Sequence, residues 1–185
     1  MSEARAQLIQ AVARAIVEGD VQTVGIDGVD GAGKTTFADE LCSELRGQDC
    51  PIEQLRADDF LNPPEIRHRL GRDSPEGFWL DSYDLHALAS AVARPREAVL
   101  VVDGLFLHRD ELVDLWDLSV FLDVPFGLSV PRVAKRDGTE PDPEHESQRR
   151  YVEGQNIYFR ECSPLTRATL VIDNSDLEHP HLSKY

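Results

Sequence analysis

The chain has 185 residues, with 34 acidic side chains against 19 basic ones and a formal charge of −15. A hydrophobic fraction of 41% suits one α/β domain, 1–185, able to bury its own core, and leaves no length for a second catalytic domain. The bases are scattered without a lysine- or arginine-rich stripe, which argues against a nucleic-acid partner and for work on a small molecule.

Cys42, Cys50 and Cys162 are odd in number and lack CxxC spacing, so neither a disulfide framework nor a zinc knot is expected. The apolar runs are strand-length, and the first residues, with Ser2, Glu3 and Arg5, do not read as a signal peptide. The expected address is the cytoplasm, without membrane association.

Taken in order, Leu8, Val12 and Ile16 share one face of an opening helix that ends near Gly19, and residues 21–26 form a strand running into glycines. Phe37, Leu41 and Leu45 then repeat at helical spacing up to Gly47, and residues 52–57 form a strand ending on Asp58-Asp59. Residues 60–80, with their prolines and Gly77-Phe78-Trp79, read as an irregular excursion; Asp81 then caps a helix through Leu85, Leu88 and Val92. Residues 98–102 and 118–124 are strands ending at Asp103-Gly104 and Pro125. A helix carrying Arg132, Lys135 and Arg136 precedes an acidic loop at 137–146, a helix at 147–161 and a last strand at 169–172. The tail beyond Asp173 reads as surface trim. Strands alternating with helices predict a parallel sheet covered on both sides.

Gly28-Val29-Asp30-Gly31-Ala32-Gly33-Lys34-Thr35 matches the P-loop pattern between a predicted strand and a predicted helix. Backbone N–H groups in such a loop turn toward phosphate oxygens, the helix N-terminus adds positive potential, Lys34 reaches the β- and γ-phosphates, and Thr35 offers Mg²⁺ an oxygen. Gly28, Asp30, Gly31, Ala32, Gly33, Lys34, Thr35 and Thr36 are thus the candidate nucleotide-binding residues. No Asn-Lys-x-Asp guanine-reading tetrapeptide occurs, and the chain lacks length for the accessory regions of most motor ATPases. A compact kinase remains.

Such an enzyme needs a carboxylate beside the acceptor hydroxyl, an acid near the metal, and positive charge over the transferring group; Asp58, Asp103 and the pair Arg132/Arg136 can supply them. Turn chemistry would also account for Asp58-Asp59 and for Asp103-Gly104, and a capping box for Asp84. His68, His86, His108 and His145 are isolated and read as packing or surface; Arg149 and Arg150 read as surface.

In Gly25-Ile26-Asp27-Gly28, Asp58-Asp59-Phe60, Tyr83-Asp84, Val101-Val102-Asp103-Gly104 and Arg132-x-x-x-Arg136-Asp137, in this order and spacing, the chain resembles the uridine kinase-like branch of P-loop kinases, which includes nicotinamide riboside, pantothenate and phosphoribulose kinases. The stretch from Arg150-Tyr151 through Tyr158-Phe159 to Ser163-Pro164 resembles the helix that follows the lid in uridine kinases. The resemblance implies that Asp58 takes or orients the acceptor proton, that Tyr83 and Asp84, with Phe60, hold the acceptor's ribose or base, and that Asp103 acts at magnesium. It also implies that Arg132 and Arg136 belong to a lid over the phosphates. Asp103 stands where relatives carry glutamate, Pro131 is expected to interrupt the lid helix, and Gln155-Asn156 replaces a Pro-Met pair. The P-loop wording is also similar to that of thymidylate kinases, whose other motifs are absent.

The expectation is a three-layer α/β P-loop nucleoside triphosphate hydrolase fold: a mostly parallel five-stranded sheet, helices on both faces and a short lid at about 132–150. Its activity would be ATP- and Mg²⁺-dependent phosphorylation of a small hydroxyl substrate, uridine or cytidine first. A nicotinamide riboside, pantothenate or sugar kinase, and an ATP-binding regulatory protein without phosphotransfer, are the competing readings.

Overall fold

A computed structural model of the chain describes residues 1–183, so the last two residues of the expected domain lie outside it. Helix α1 (Glu3–Glu18) starts at Ser2, whose hydroxyl accepts from the Arg5 N–H, and buries Ile9, Val12, Ala13 and Ile16. Strand β1 (Thr23–Gly28) leads through the glycine loop into α2 (Lys34–Gly47). Strand β2 (Ile52–Arg56) passes into a 3-10 turn at Ala57–Phe60, and the excursion that follows contains two short helices, α3 (Pro64–Arg67) and α4 (Pro75–Asp81). Each opens on proline, whose missing N–H costs nothing in a first turn.

Helix α5 (Leu85–Val92) leads to β3 (Val99–Asp103), β4 (Leu118–Asp123), α6 (Phe126–Asp137), α7 (Arg149–Cys162), α8 (Pro164–Arg167), β5 (Leu170–Asp173) and β6 (His181–Leu182). The cap of α5 is Asp84, which accepts from the Ala87 N–H, and not Asp81 as expected.

The sheet order is β2-β3-β1-β4-β5-β6, parallel except for the antiparallel edge strand β6. Six strands replace the expected five because β6 is two residues long, too short for any period to register in sequence. Alternation divides the strands between two cores. Val99 and Val101 of β3 face α1 and α2, with Phe37, Leu41 and Leu45; Leu100 and Val102 face α5 and α7, with Leu88, Phe106 and Tyr158. Burying each Leu, Ile or Phe side chain contributes about 1.5–3 kcal/mol, so two filled faces anchor the rigid middle layer. Burial also pushes the Cys42 thiol up to about 11, which makes it a packing group and not a nucleophile.

Gly28, Arg56, Asp103 and Asp123 end adjacent strands at one edge of the sheet, with β1 between β3 and β4. In open parallel sheets ligands bind outside this carboxyl edge, where the strand order reverses.

The tail is not trim. Asn174 is fully buried; its Nδ2 donates to the Ala32 carbonyl at 2.7 Å and its Oδ1 accepts from Arg5 Nη1 at 3.1 Å. The end of the sheet, α1 and the glycine loop are thereby tied together.

Candidate active site

The glycine loop enters α2 through Gly33 in the left-handed conformation, with no side-chain cap. The first amides of the helix are therefore left for an anion, which their dipoles favour. Gly31 (φ +77) packs so close to α6 that a Cβ there would lie 2.3 Å from the Ser129 carbonyl oxygen. Lys34 is half-buried; its Nζ donates to the Val29 carbonyl at 2.9 Å and so spans the loop. Burial lowers its hold on the proton, while Asp30, Asp27, Asp58 and Asp103 act to raise it.

Asp103, at the end of β3, accepts from the Thr35 hydroxyl at 2.7 Å through Oδ2, and its Oδ1 is buried without a hydrogen-bond partner. Burial pushes this carboxyl up. A hydroxyl and an unsatisfied carboxylate oxygen beside a triphosphate cradle fit magnesium, a hard cation often held by one or two protein oxygens plus phosphates. Among the described residues no group of three or more His, Cys, Asp or Glu side chains converges on a metal position.

On the acceptor side, an antiparallel bridge between Leu61 and Tyr83 brings Asp58 and Tyr83, far apart in sequence, side by side. The Tyr83 hydroxyl donates to Asp58 Oδ1 at 2.9 Å. Burial, then the Asp58 charge, hold that phenol well above its usual range, so it stays a donor. Phe60 flanks the bridge, its carbonyl accepting from the Asp84 N–H at 2.8 Å. The Asp84 carboxylate is exposed and caps α5, and Tyr83 points at Asp58. Phe78, Trp79, Tyr83 and Tyr158 gather around Phe106, with ring centroids 5.1–6.5 Å from it.

Arg150 is buried, contrary to its reading as surface. Its guanidinium donates to the carbonyls of Arg67, Gly71, Arg72 and Ser74, stapling the 60–80 excursion to α7. Arg150→Met leaves these oxygens unmatched and is expected to cost about 3 kcal/mol, a fall in Tm of roughly 6–12 °C, measured by differential scanning calorimetry.

Helix α6 continues through Pro131 to Asp137, so the expected interruption does not occur, although the proline, sixth of twelve residues, removes one hydrogen bond from the helix. Arg132 and Arg136 sit apart on it. Arg132 donates to the carbonyls of Asn174 and Ser175 in the tail, whereas Arg136 pairs with Asp137 and lies 3.7 Å from Asp30 of the loop.

Sequence reasoning gave Asp27 no role. Its fully buried carboxylate accepts from the Gly28 N–H, the Leu107 and His108 N–H groups, His108 Nδ1 and the Tyr158 hydroxyl. His108 is fully buried too, and its Nε2 has no hydrogen-bond partner. One carboxylate thus joins the loop, the segment after β3 and α7. A signal existed: Asp27 is the one charged side chain in β1, whose neighbours are buried.

Fold and loop together define a protein with the P-loop fold. No family model matches the chain. It is 26% identical over 141 residues to a uridine kinase of Lactiplantibacillus plantarum, covering 62% of this chain and 66% of that protein. It is 31% identical over 142 residues to human nicotinamide riboside kinase 2, covering 65% of this chain and 60% of that protein. The matched regions thus span less than two thirds of either relative. A solved structure described as a possible uridine kinase from Bacillus stearothermophilus superposes with a TM-score of 0.70 at 20% identity, covering 90% of this chain and 96% of that one. By these likenesses the chain is similar to uridine kinase-like P-loop kinases.

Proposed function

We propose that this chain is an ATP- and Mg²⁺-dependent kinase that phosphorylates a hydroxyl group of a small molecule, a nucleoside such as uridine or cytidine being the leading acceptor. The observation that carries the reading is the convergence of Lys34, Thr35, Asp103 and the Asp58–Tyr83 pair at one edge of the sheet. The kinship to a uridine kinase supports the acceptor.

In this mechanism the loop amides and Lys34 grip the triphosphate, and Lys34 leaves the Val29 carbonyl for the γ-phosphoryl oxygens. Tyr83 holds one oxygen of Asp58, leaving the other free to accept the acceptor's hydroxyl proton as its oxygen attacks in line. Thr35 and Asp103 would hold magnesium, which when bound neutralises charge on the β- and γ-phosphates. Arg136, already beside the loop, supplies further positive charge, and Arg132 with it completes the lid. The aromatic residues around Phe106, with Phe60, wall the acceptor pocket and exclude water.

Nicotinamide riboside is a second acceptor, favoured by the 31% identity to a kinase of that name. ADP release measured across uridine, cytidine, nicotinamide riboside, pantothenate and sugars tests the reading. Stimulation by one nucleoside well above the others is expected. Indifference to every acceptor would leave the ATP-binding regulatory protein instead. The remaining proposals are a cytoplasmic location and freedom from nucleic acid and membrane; among the described residues no helix is long and apolar enough to cross a bilayer.

A further inference from the structure

Two buried polar side chains on one face of α7 make hydrogen bonds that the mechanism does not use. Gln155 and Tyr158, three residues apart and so on the same side of the helix, reach the glycine loop and the strand that feeds it. Tyr158 donates to Asp27, just ahead of Gly28. Gln155 Oε1 accepts from the Asp30 N–H at 2.7 Å, and its Nε2 donates to the Tyr151 carbonyl at 2.9 Å. The two partners fix which end of the carboxamide faces the loop, since a backbone N–H can meet only the oxygen.

The peptide between Val29 and Asp30 is therefore held at both ends. Gln155 takes its N–H, and its carbonyl accepts from Lys34 Nζ at 2.9 Å and from the Ala32 N–H at 3.0 Å. A trans peptide carries N–H and C=O on opposite sides of one rigid plane, so fixing the first aims the second. We propose that Gln155 is a positioning residue for Lys34: acting through the Val29–Asp30 peptide, the helix behind the lid sets where the loop's ammonium group waits for nucleotide.

The arrangement matters because Lys34 stands within the field of Asp30, Asp27, Asp58 and Asp103. A carboxylate would hold the ammonium more strongly than a carbonyl does. With the peptide free to turn, the lysine falls onto a neighbouring acid and must be pulled away by the incoming phosphates. With the peptide pinned, it rests on a neutral oxygen from which transfer is easy. This inference rests on the nucleotide-cradle reading, and its test separates the two.

Residue-resolved amide exchange on the ligand-free protein reads the pin directly. Gln155→Leu is expected to speed exchange at Asp30 about tenfold or more relative to the amides of β1, and Gln155→Glu, which keeps an acceptor oxygen, to restore protection to within about threefold. Affinity for a fluorescent ATP analogue with Mg²⁺ should fall about tenfold in Gln155→Leu, and that loss should vanish when Lys34 is already methionine, because the glutamine acts only through the lysine. Unchanged exchange at Asp30, or an equal loss of affinity in the Lys34→Met background, overturns the proposal. If the wild-type protein binds no triphosphate, the cradle reading falls. The ¹⁵N signal of the Lys34 ammonium then decides: a signal altered by Gln155→Leu and recovered in Gln155→Glu sustains the positioning role, and one indifferent to both removes it.

Discussion

Asp58→Asn is expected to lower kcat about 10²–10³-fold while leaving nucleotide binding near the wild-type value. The substitution keeps the shape of the side chain, and its amide oxygen can still accept from Tyr83, whose hydroxyl lies 2.9 Å from Asp58 Oδ1. What it removes is the charge and the second lone-pair site that draw the acceptor's proton. Asp58 is exposed at the end of β2, outside both cores, so the change should leave the fold intact. Initial rates at saturating acceptor, with ATP binding titrated separately, provide the measurement. A kcat within about threefold of wild type would remove Asp58 from the chemistry, since a positioned base contributes about 10² or more.

Lys34→Met should act on both binding and turnover. Loss of the cation that spans the loop takes away a charge aimed where negative charge develops, an effect of about 10²–10³-fold on kcat, with weaker nucleotide binding in addition. Methionine matches the stem of lysine in length, and Lys34 is no member of the core that holds Ala32, Phe37 and Ala38, so circular dichroism should not change. Turnover that survives this substitution would show that the loop does not grip the transferred phosphate.

The parts that were legible in sequence are those whose physics is local. The P-loop declares itself because its glycines, its lysine and the helix start lie within a few consecutive residues. The strand end at Asp103 could be read because an apolar run stops there, and the end of β2 was placed within a residue of Arg56. What escaped joins distant segments: Asp27 and Tyr158 stand 131 residues apart, and Asn174 and Ala32 stand 142 apart. Arg150 was misread for a different reason. Its partners are four backbone carbonyls, and a carbonyl has no letter in the sequence. Tyr83 was paired with Asp84 from sequence, whereas the Leu61–Tyr83 bridge turns its hydroxyl toward Asp58, a contact that no local pattern spells out. Asp84 could be a cap or a sugar ligand from its letters; the structure places its carboxylate on the Ala87 N–H.

The Asn174 knot carries a practical consequence. Arg5, Arg132 and the Ala32 carbonyl all close on Asn174 or its backbone, so the residues after β5 work as a clasp on the phosphate loop. Trimming them, or cutting a purification handle into them, would loosen the glycine loop before the sheet itself began to melt, and a shortened chain would pass every test of foldedness while losing the proposed activity.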